Sequence, residues 1–328
     1  MLAMTAVVFC YDCSKPLQEM QRSGEGPMRH MTTLLYIDAV ARAGSIRKAA
    51  ETLSITSTAL NRRLLAIEED LGVPIFERLP RGVRLNSAGE LLIHHIRNQI
   101  SDMDRVRSQI ADLAGERRGH ITIACSQALL PYLPRQIAAY RREHPGVTFA
   151  VFRRDREAAE QALVDHTADL ALVFEPIRLA EFQTLLTVRQ HVHAMFSRHH
   201  PLAARETVRL RECLDYPIAL PTRAYGVRHL MEVALADSAI SLNPVVESDS
   251  FEFLGHQAIA EGIVSFQIPI GLPPGGMLPD MVSRQLDPRD VPSGLIYMGQ
   301  LRGRILPVAA AKFAEMVQKD LEAQYDCN

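Results

Sequence analysis

Gly44-Ser45-Ile46-Arg47-Lys48-Ala49-Ala50-Glu51-Thr52-Leu53-Ser54-Ile55-Thr56-Ser57-Thr58-Ala59-Leu60-Asn61-Arg62-Arg63-Leu64-Leu65-Ala66-Ile67-Glu68-Glu69-Asp70-Leu71-Gly72 is the stretch on which the fold turns. It holds two short helical patterns, each with a capping residue in front. Ser45 precedes Ile46, Ala49, Ala50 and Leu53, and Thr56 precedes Leu60, Leu64 and Ile67, both sets at helical spacing. Gly44 and Gly72 bracket the pair, and Pro74 lies just beyond. Two such helices across the short break Ser54-Ile55 make a helix-turn-helix. With Leu60, Leu64 and Ile67 turned inward, Thr58, Arg62 and Glu69 point away, with Ser57 and Asn61 on the flank. Asn and Arg suit bidentate contacts with adenine and guanine edges in a DNA major groove.

The flanking sequence supports the same module. Upstream, Leu34, Ile37, Val40 and Ala41 form another helical face that Gly44 ends. Downstream, apolar segments at 74–76 and 83–85 join through Arg78-Leu79-Pro80-Arg81-Gly82, which predicts a small β-hairpin. Arg47 or Lys48, and Arg78, Arg81 and Arg84 around the hairpin, are placed for phosphate contacts. Ser87-Ala88-Gly89-Glu90 reads as a capping box that opens a long helix. Its core-side positions fall on a heptad, Ile96, Met103 and Ile110 on one register and Leu92, Gln99, Val106 and Leu113 on the other, with only Gln99 polar. A lone helix with such a seam has to pack on something, and a second copy of itself is the simplest partner. Glu116-Arg117-Arg118-Gly119 ends the helix as a hinge.

Composition sets the limits. A chain of 328 residues with 47% hydrophobic and 23% charged residues is long enough for two globular domains and is not disordered. No apolar run reaches the roughly 20 residues needed to span a bilayer. The first ten residues lack the basic lead and cleavage site of a signal peptide, so a cytoplasmic protein without membrane contact is expected. The net charge of −2 is uninformative about nucleic acid, because a basic patch can hide in a neutral total. From Met28 to Glu90, nine basic residues stand against seven acidic ones. Residues 1–30 read as a flexible extension. Cys10 and Cys13 form a C-x-x-C without a second pair at zinc-finger spacing, so no metal or other cofactor is expected.

After Gly119 the pattern alternates strand, helix, strand: 121–125, 129–142, 147–152, 157–166, 170–174, then a second set from a strand at 185–196 to a final helix at 305–323. Such alternation is the mark of a parallel sheet with crossover helices, and two sets imply two lobes with a cleft between them.

The residues quoted above, together with 34–45, 49–53, 59–62, 67–72, 75–78 and 81–89, resemble the opening of LysR-type transcriptional regulators without a gap. The resemblance implies an α+β multi-domain architecture: a winged helix-turn-helix at 31–89, a dimerising linker helix at 90–118, and a two-lobed α/β, periplasmic-binding-protein-like effector domain at 119–328. Lobe I takes about 119–183 and 289–328, lobe II about 184–288. It implies double-stranded operator DNA, a small-molecule effector, a second copy in a homodimer or homotetramer, and the transcription machinery as partners. Arg47, Lys48, Ser57, Thr58, Asn61, Arg62, Arg81 and Arg84 are the expected DNA-binding residues. The family usually carries Gln-Pro at Ser57-Thr58, Ser at Asn61 and often a basic residue at Leu65, so the base-reading helix departs from its relatives where it reads.

Ligands of two-lobed folds sit beyond the carboxyl ends of the strands, often against helix N-termini. Those points are Ser126 and Gln127, Arg153 to Arg156, Phe174, Thr222, Asp249 and Phe266, the expected effector-binding set. Arginines at 153 and 156 favour a carboxylate or another anion, though beside Asp155 and Glu157 they also read as a solvated ion-pair cluster. Ser126 also reads as a simple helix cap, and Phe174 and Phe266 as core. Cys125 borders the cleft and reads either as a buried small residue or as a thiol sensor. His191, His193, His199 and His200 suit a strand and its turn better than a metal site. No nucleophile elbow, Walker loop, H-E-x-x-H or G-x-G-x-x-G is present, which argues against an enzyme. A stand-alone binding protein on the two-lobed fold leaves the first ninety residues unexplained. A constitutive DNA binder with an empty cleft is the remaining alternative.

Overall fold

The computed structural model describes residues 31–113, 118–177, 180–236, 240–272 and 278–325. The expected extension with Cys10 and Cys13, and the hinge residues Glu116 and Arg117, lie outside the described residues. The chain divides into two compact units, one ending at Arg107 and the other beginning at Ser108.

The first unit contains α1 (Thr32–Ala43), α2 (Ile46–Thr52), α3 (Ser57–Leu71), the antiparallel hairpin β1 (Phe76–Leu79) and β2 (Gly82–Leu85), and the start of α4 (Ser87–Leu113). Both predicted caps form: the Ser45 hydroxyl accepts from the Lys48 amide at 3.4 Å and the Thr56 hydroxyl from the Ala59 amide at 3.2 Å. Ile37, Val40, Leu60, Leu64, Ile75 and Ile96 form the core. Leu60 and Leu64 are almost wholly buried, each contributing about 2 kcal/mol of transfer free energy. The Glu68 carboxylate accepts from the amides of Ile75 (2.8 Å) and Phe76 (3.2 Å), which seats the hairpin on α3. Asp38 binds Arg42 at 2.6 Å and Arg97 at 2.9 Å, tying α1 to α4.

Two expectations change here. The side chain capping α4 is Asn86, one residue before Ser87: its Oδ1 accepts from the Gly89 amide and its Nδ2 donates to the Pro74 carbonyl, both at 2.8 Å. The heptad of α4 also splits in function. Ile93 and Ile96 are buried in the winged core, whereas Val106, Ile110 and Leu113 are exposed. Of the apolar heptad positions described, those left exposed lie in the second half of the helix.

The second unit opens with β3 (Gly119–Cys125), α5 (Leu133–Glu143), β4 (Val147–Arg153), α6 (Arg156–Val164), β5 (Leu170–Phe174) and β6 (Phe182–Gln190). Then come β7 (His193–Ser197), β8 (Thr207–Val208), α7 (Leu210–Leu214), β9 (Ala219–Pro221), α8 (Gly226–Ala234), β10 (Val246–Ser248), α9 (Phe251–Ala260), β11 (Ser265–Gln267) and β12 (Met281–Leu286). It ends with β13 (Gly294–Leu301) and α10 (Val308–Gln324).

One sheet runs β4-β3-β5-β13-β6, with β3, β4 and β5 parallel and β13 antiparallel to both neighbours. The second lobe has the sheet β11-β7-β12-β8 and the parallel pair β10-β9. β5, Leu-Ala-Leu-Val-Phe, is buried along its whole length, as a central strand covered on both faces must be. Tyr140, Phe149 and Phe313 meet edge to face and dock α10 and α5 on the first sheet.

The single strand expected at 185–196 is two strands in two sheets. β6 ends at Gln190, whose Oε1 accepts from the Ile270 amide at 3.2 Å, and the chain passes into β7 at His191-Val192. The first lobe therefore keeps its strand to residue 190, and the lobe boundary falls later than 184. Among the described residues no helix is long and apolar enough to cross a membrane.

Candidate functional site

On α3, Ser57, Thr58 and Arg62 are exposed and Asn61 is half-buried; Thr58 and Arg62 lie opposite Leu60 and Leu64, with Ser57 and Asn61 on the flank. Arg47 and Lys48 are exposed on α2, where Arg47 lies 3.8 Å from Glu51. On the hairpin, Arg81 is exposed, and neither it nor Arg62 is paired with an acid among the described residues. Arg84 is engaged: it donates to Glu77 at 2.7 Å, and that hydrogen bond raises its proton affinity further. A phosphate would have to compete for it. Sequence reading missed two contacts. Arg78 Nη2 donates to Asn61 Oδ1 at 3.2 Å, and the Arg63 guanidinium stacks over the Tyr36 ring at 4.8 Å. Both join residues far apart in sequence, so no local pattern announces them.

In the second unit the carboxyl ends of β3, β4 and β5 face elements of the other lobe. Arg153, at the end of β4, donates to Gln127 Oε1 (3.3 Å), to the Asp249 carbonyl (3.3 Å) and to the Asp249 carboxylate (3.1 Å). Three of the expected residues thus meet in one cross-lobe cluster. Arg156 is held apart from it, because its Nε donates to the Glu175 carbonyl. Burial lowers the proton affinity of Arg156, and Glu175 and Glu160 oppose that. Glu175 adopts a left-handed backbone (φ 51°) and its carboxylate accepts from the Leu295 amide at 2.7 Å. Thr222 follows β9 directly, its amide bonded to the Ser248 carbonyl at 3.1 Å. Ser126 is buried, with its amide bonded to the Leu172 carbonyl at 2.9 Å, and its hydroxyl caps nothing.

The lobes touch at two glycines. A Cβ at Gly226, the first residue of α8, would lie 2.2 Å from the Phe174 carbonyl oxygen, and one at Gly271 would lie 2.3 Å from that of Ala128. Only a residue without a side chain permits either approach.

Phe174 and Phe266 are both buried in the hydrophobic core, the second of the two readings their sequence positions offered. In β11 the polar partners carry the interest instead. Ser265 and Gln267 are fully buried, and Ser265 Oγ and Gln267 Nε2 have no hydrogen-bond partner among the described residues. The signal was in the sequence, since Val264, Phe266 and Ile268 alternate with Ser265 and Gln267. Cys125 is buried, donates to the Ser126 carbonyl at 3.3 Å, and burial pushes its thiol up, which favours the reading as a small core residue. His193 and His200 lie on β7 and at the turn after it, both with proton affinity lowered by burial.

Comparison with known proteins agrees with this geometry. Residues 31–90 match the family model "Bacterial regulatory helix-turn-helix protein, lysR family", and residues 114–322 match "LysR substrate binding domain". The HTH-type transcriptional activator CmpR of Synechocystis is 25% identical over 225 residues, 69% of this chain and 74% of that protein. The transcriptional regulator YybE of Bacillus subtilis is 24% identical over 87% of this chain and 96% of its own length. Among solved structures, full-length OxyR of Pseudomonas aeruginosa superposes with a TM-score of 0.67 at 19% identity, covering 90% of this chain and 95% of that one. CbnR complexed with its target DNA gives 0.57 at 18% identity over 88% and 99%. These structures establish likeness of fold. A winged helix-turn-helix followed by a substrate-binding domain, both matched along their length, makes this chain a member of the LysR family: a DNA-binding transcriptional regulator with an effector-binding domain, and not an enzyme.

Proposed function

We propose that the chain reads operator DNA with Ser57, Thr58, Asn61 and Arg62 in the major groove, while Arg47, Lys48 and Arg81 hold phosphates and Arg84 does so by leaving Glu77. The observation that carries this is the polar outer face of α3, which bears Arg62, is backed by Leu60 and Leu64 and is flanked by Arg81, neither arginine being paired with an acid among the described residues. Two copies pair through the exposed half of α4, as a homodimer or as a tetramer of two such pairs. The protein works in the cytoplasm, where operator and transcription machinery are found.

The effector is a small anion between the lobes, near Ser126, Gln127, Arg153, Thr222 and Asp249. Arg153 supports this reading, because a ligand carboxylate offers it what Asp249 now supplies. Buried Gln267 Nε2 and Ser265 Oγ add polar capacity that the protein leaves unused. Arg156 joins only by releasing the Glu175 carbonyl.

The DNA reading is tested by mobility shift with the fragments flanking the gene, at stated salt. Specific retardation is expected, lost in Asn61→Ala with Arg62→Ala. The absence of any specific shift, or an unaltered shift in the double variant, ends the proposal. The cleft is tested by a thermal-shift screen of small carboxylates. Stabilisation by at least one is expected, reduced in Arg153→Ala, and no response to any of them removes the anionic effector.

A further inference from the structure

Asn61 lies in the second turn of α3, and Arg78 lies on β1 of the hairpin. The Arg78 guanidinium donates to the Asn61 side-chain oxygen at 3.2 Å. A guanidinium has only donors, so the amide atom turned toward it has to be the oxygen. The Nδ2 group, with two hydrogens, is left for any other partner. An asparagine free to turn pairs with adenine through both atoms, its oxygen taking the N6 amino group and its nitrogen reaching N7. Here the oxygen is already engaged. Its second lone pair sits beside a full positive charge, which repels the partly positive amino hydrogens of adenine. The same charge attracts the O6 and N7 acceptors of guanine.

We propose that Arg78 fixes Asn61 as a donor-only reader, so that Asn61 selects guanine and rejects adenine at the base it faces. The inference rests on the reading above that Asn61 reaches a base edge. Arg78 is then a positioning residue for specificity, acting from the wing on a side chain of the recognition helix. Its companions Arg81 and Arg84 make no such contact, so the three wing arginines differ in task.

The test is selection of bound sequences by the full-length protein from a randomised duplex library, at one fixed salt concentration. The position read by Asn61 is the one whose preference disappears in Asn61→Ala. At that position the wild type is expected to favour guanine over adenine by roughly fivefold or more. Arg78→Lys keeps a charged donor and retains the choice. Arg78→Met frees the amide and brings the ratio to about one or reverses it toward adenine. Adenine chosen by the wild type, or guanine still chosen equally by Arg78→Met at lower overall affinity, overturns the proposal and leaves the base-reading role of Asn61 standing. If Asn61→Ala changes no position, that role fails, and this inference with it. Should Arg78→Met not fold, the wild-type choice and its retention in Arg78→Lys decide alone.

Discussion

Leu65 is about half exposed (46%) on the outer side of α3, one turn beyond Asn61. An aliphatic side chain offers nothing to a phosphate, whereas its methyl groups suit the C5-methyl of thymine. Leu65→Lys is expected to strengthen binding to every duplex at low salt. It should also steepen the dependence of log K on log salt by about one unit, the signature of one added phosphate contact. Fluorescence anisotropy over a salt series measures this, and an unchanged slope refutes it. Leu60 and Leu64 were readable because helical periodicity is local, and so were the caps Ser45 and Thr56. The Asn61–Arg78 bond was not, since it depends on how a hairpin folds back onto a helix. Residue type in a strand also does not tell inside from outside, so the sequence leaves Phe174 and Phe266 open between core and cleft, and their burial is visible only in the folded chain.

At the scale of elements, α8 can approach β5 only because its first residue is glycine. Gly226→Val would drive methyl groups into the Phe174 carbonyl and hold the lobes apart. The cost expected is about 1–3 kcal/mol, as for other overpacked sites, and thermal unfolding should fall by several degrees. An unchanged midpoint would mean that the contact between lobes is dispensable.

The crossing strand carries a second test. Burial, with His191 nearby, lowers the His193 imidazole to about 4, while an unfolded histidine takes its proton near 6.5. Between those values the unfolded chain binds a proton that the folded chain refuses. Stability is therefore full above pH 6.5 and declines toward pH 4, by up to about 3 kcal/mol for this group. His200 and His229, also lowered by burial, act in the same direction. His193→Gln should flatten the fall in melting temperature between pH 7 and 5, and an equally steep fall in the variant rejects the assignment. The break between β6 and β7 was illegible beforehand, because an apolar run crossing from one sheet to another looks like one long strand.

For the molecule as a whole, Leu91, Val106, Ile110 and Leu113 expose apolar surface along α4. Val106→Asp with Ile110→Asp should halve the mass in solution by light scattering. DNA affinity should drop by about two orders of magnitude or more, because two linked reading heads bind far more tightly than one. An unchanged mass places the interface elsewhere. The order of the domains was plain from the alternation of patterns, whereas the split of α4 needed the packing of Ile93 and Ile96.

The place of β13 inside the first sheet, between β5 and β6, bears on how the protein is made. β13 pairs with β5 on one side and β6 on the other, and it is synthesised only after the second lobe has been completed. The second lobe's own sheet is built from one continuous stretch of chain, β7 to β12, and is complete before then. The first lobe waits with β6 unpaired and the edge of β5 open, a template for wrong pairing. Nascent chains are therefore most vulnerable to aggregation between the emergence of β6 and that of Gly294–Leu301, and a helper that shields a strand edge would act in that interval.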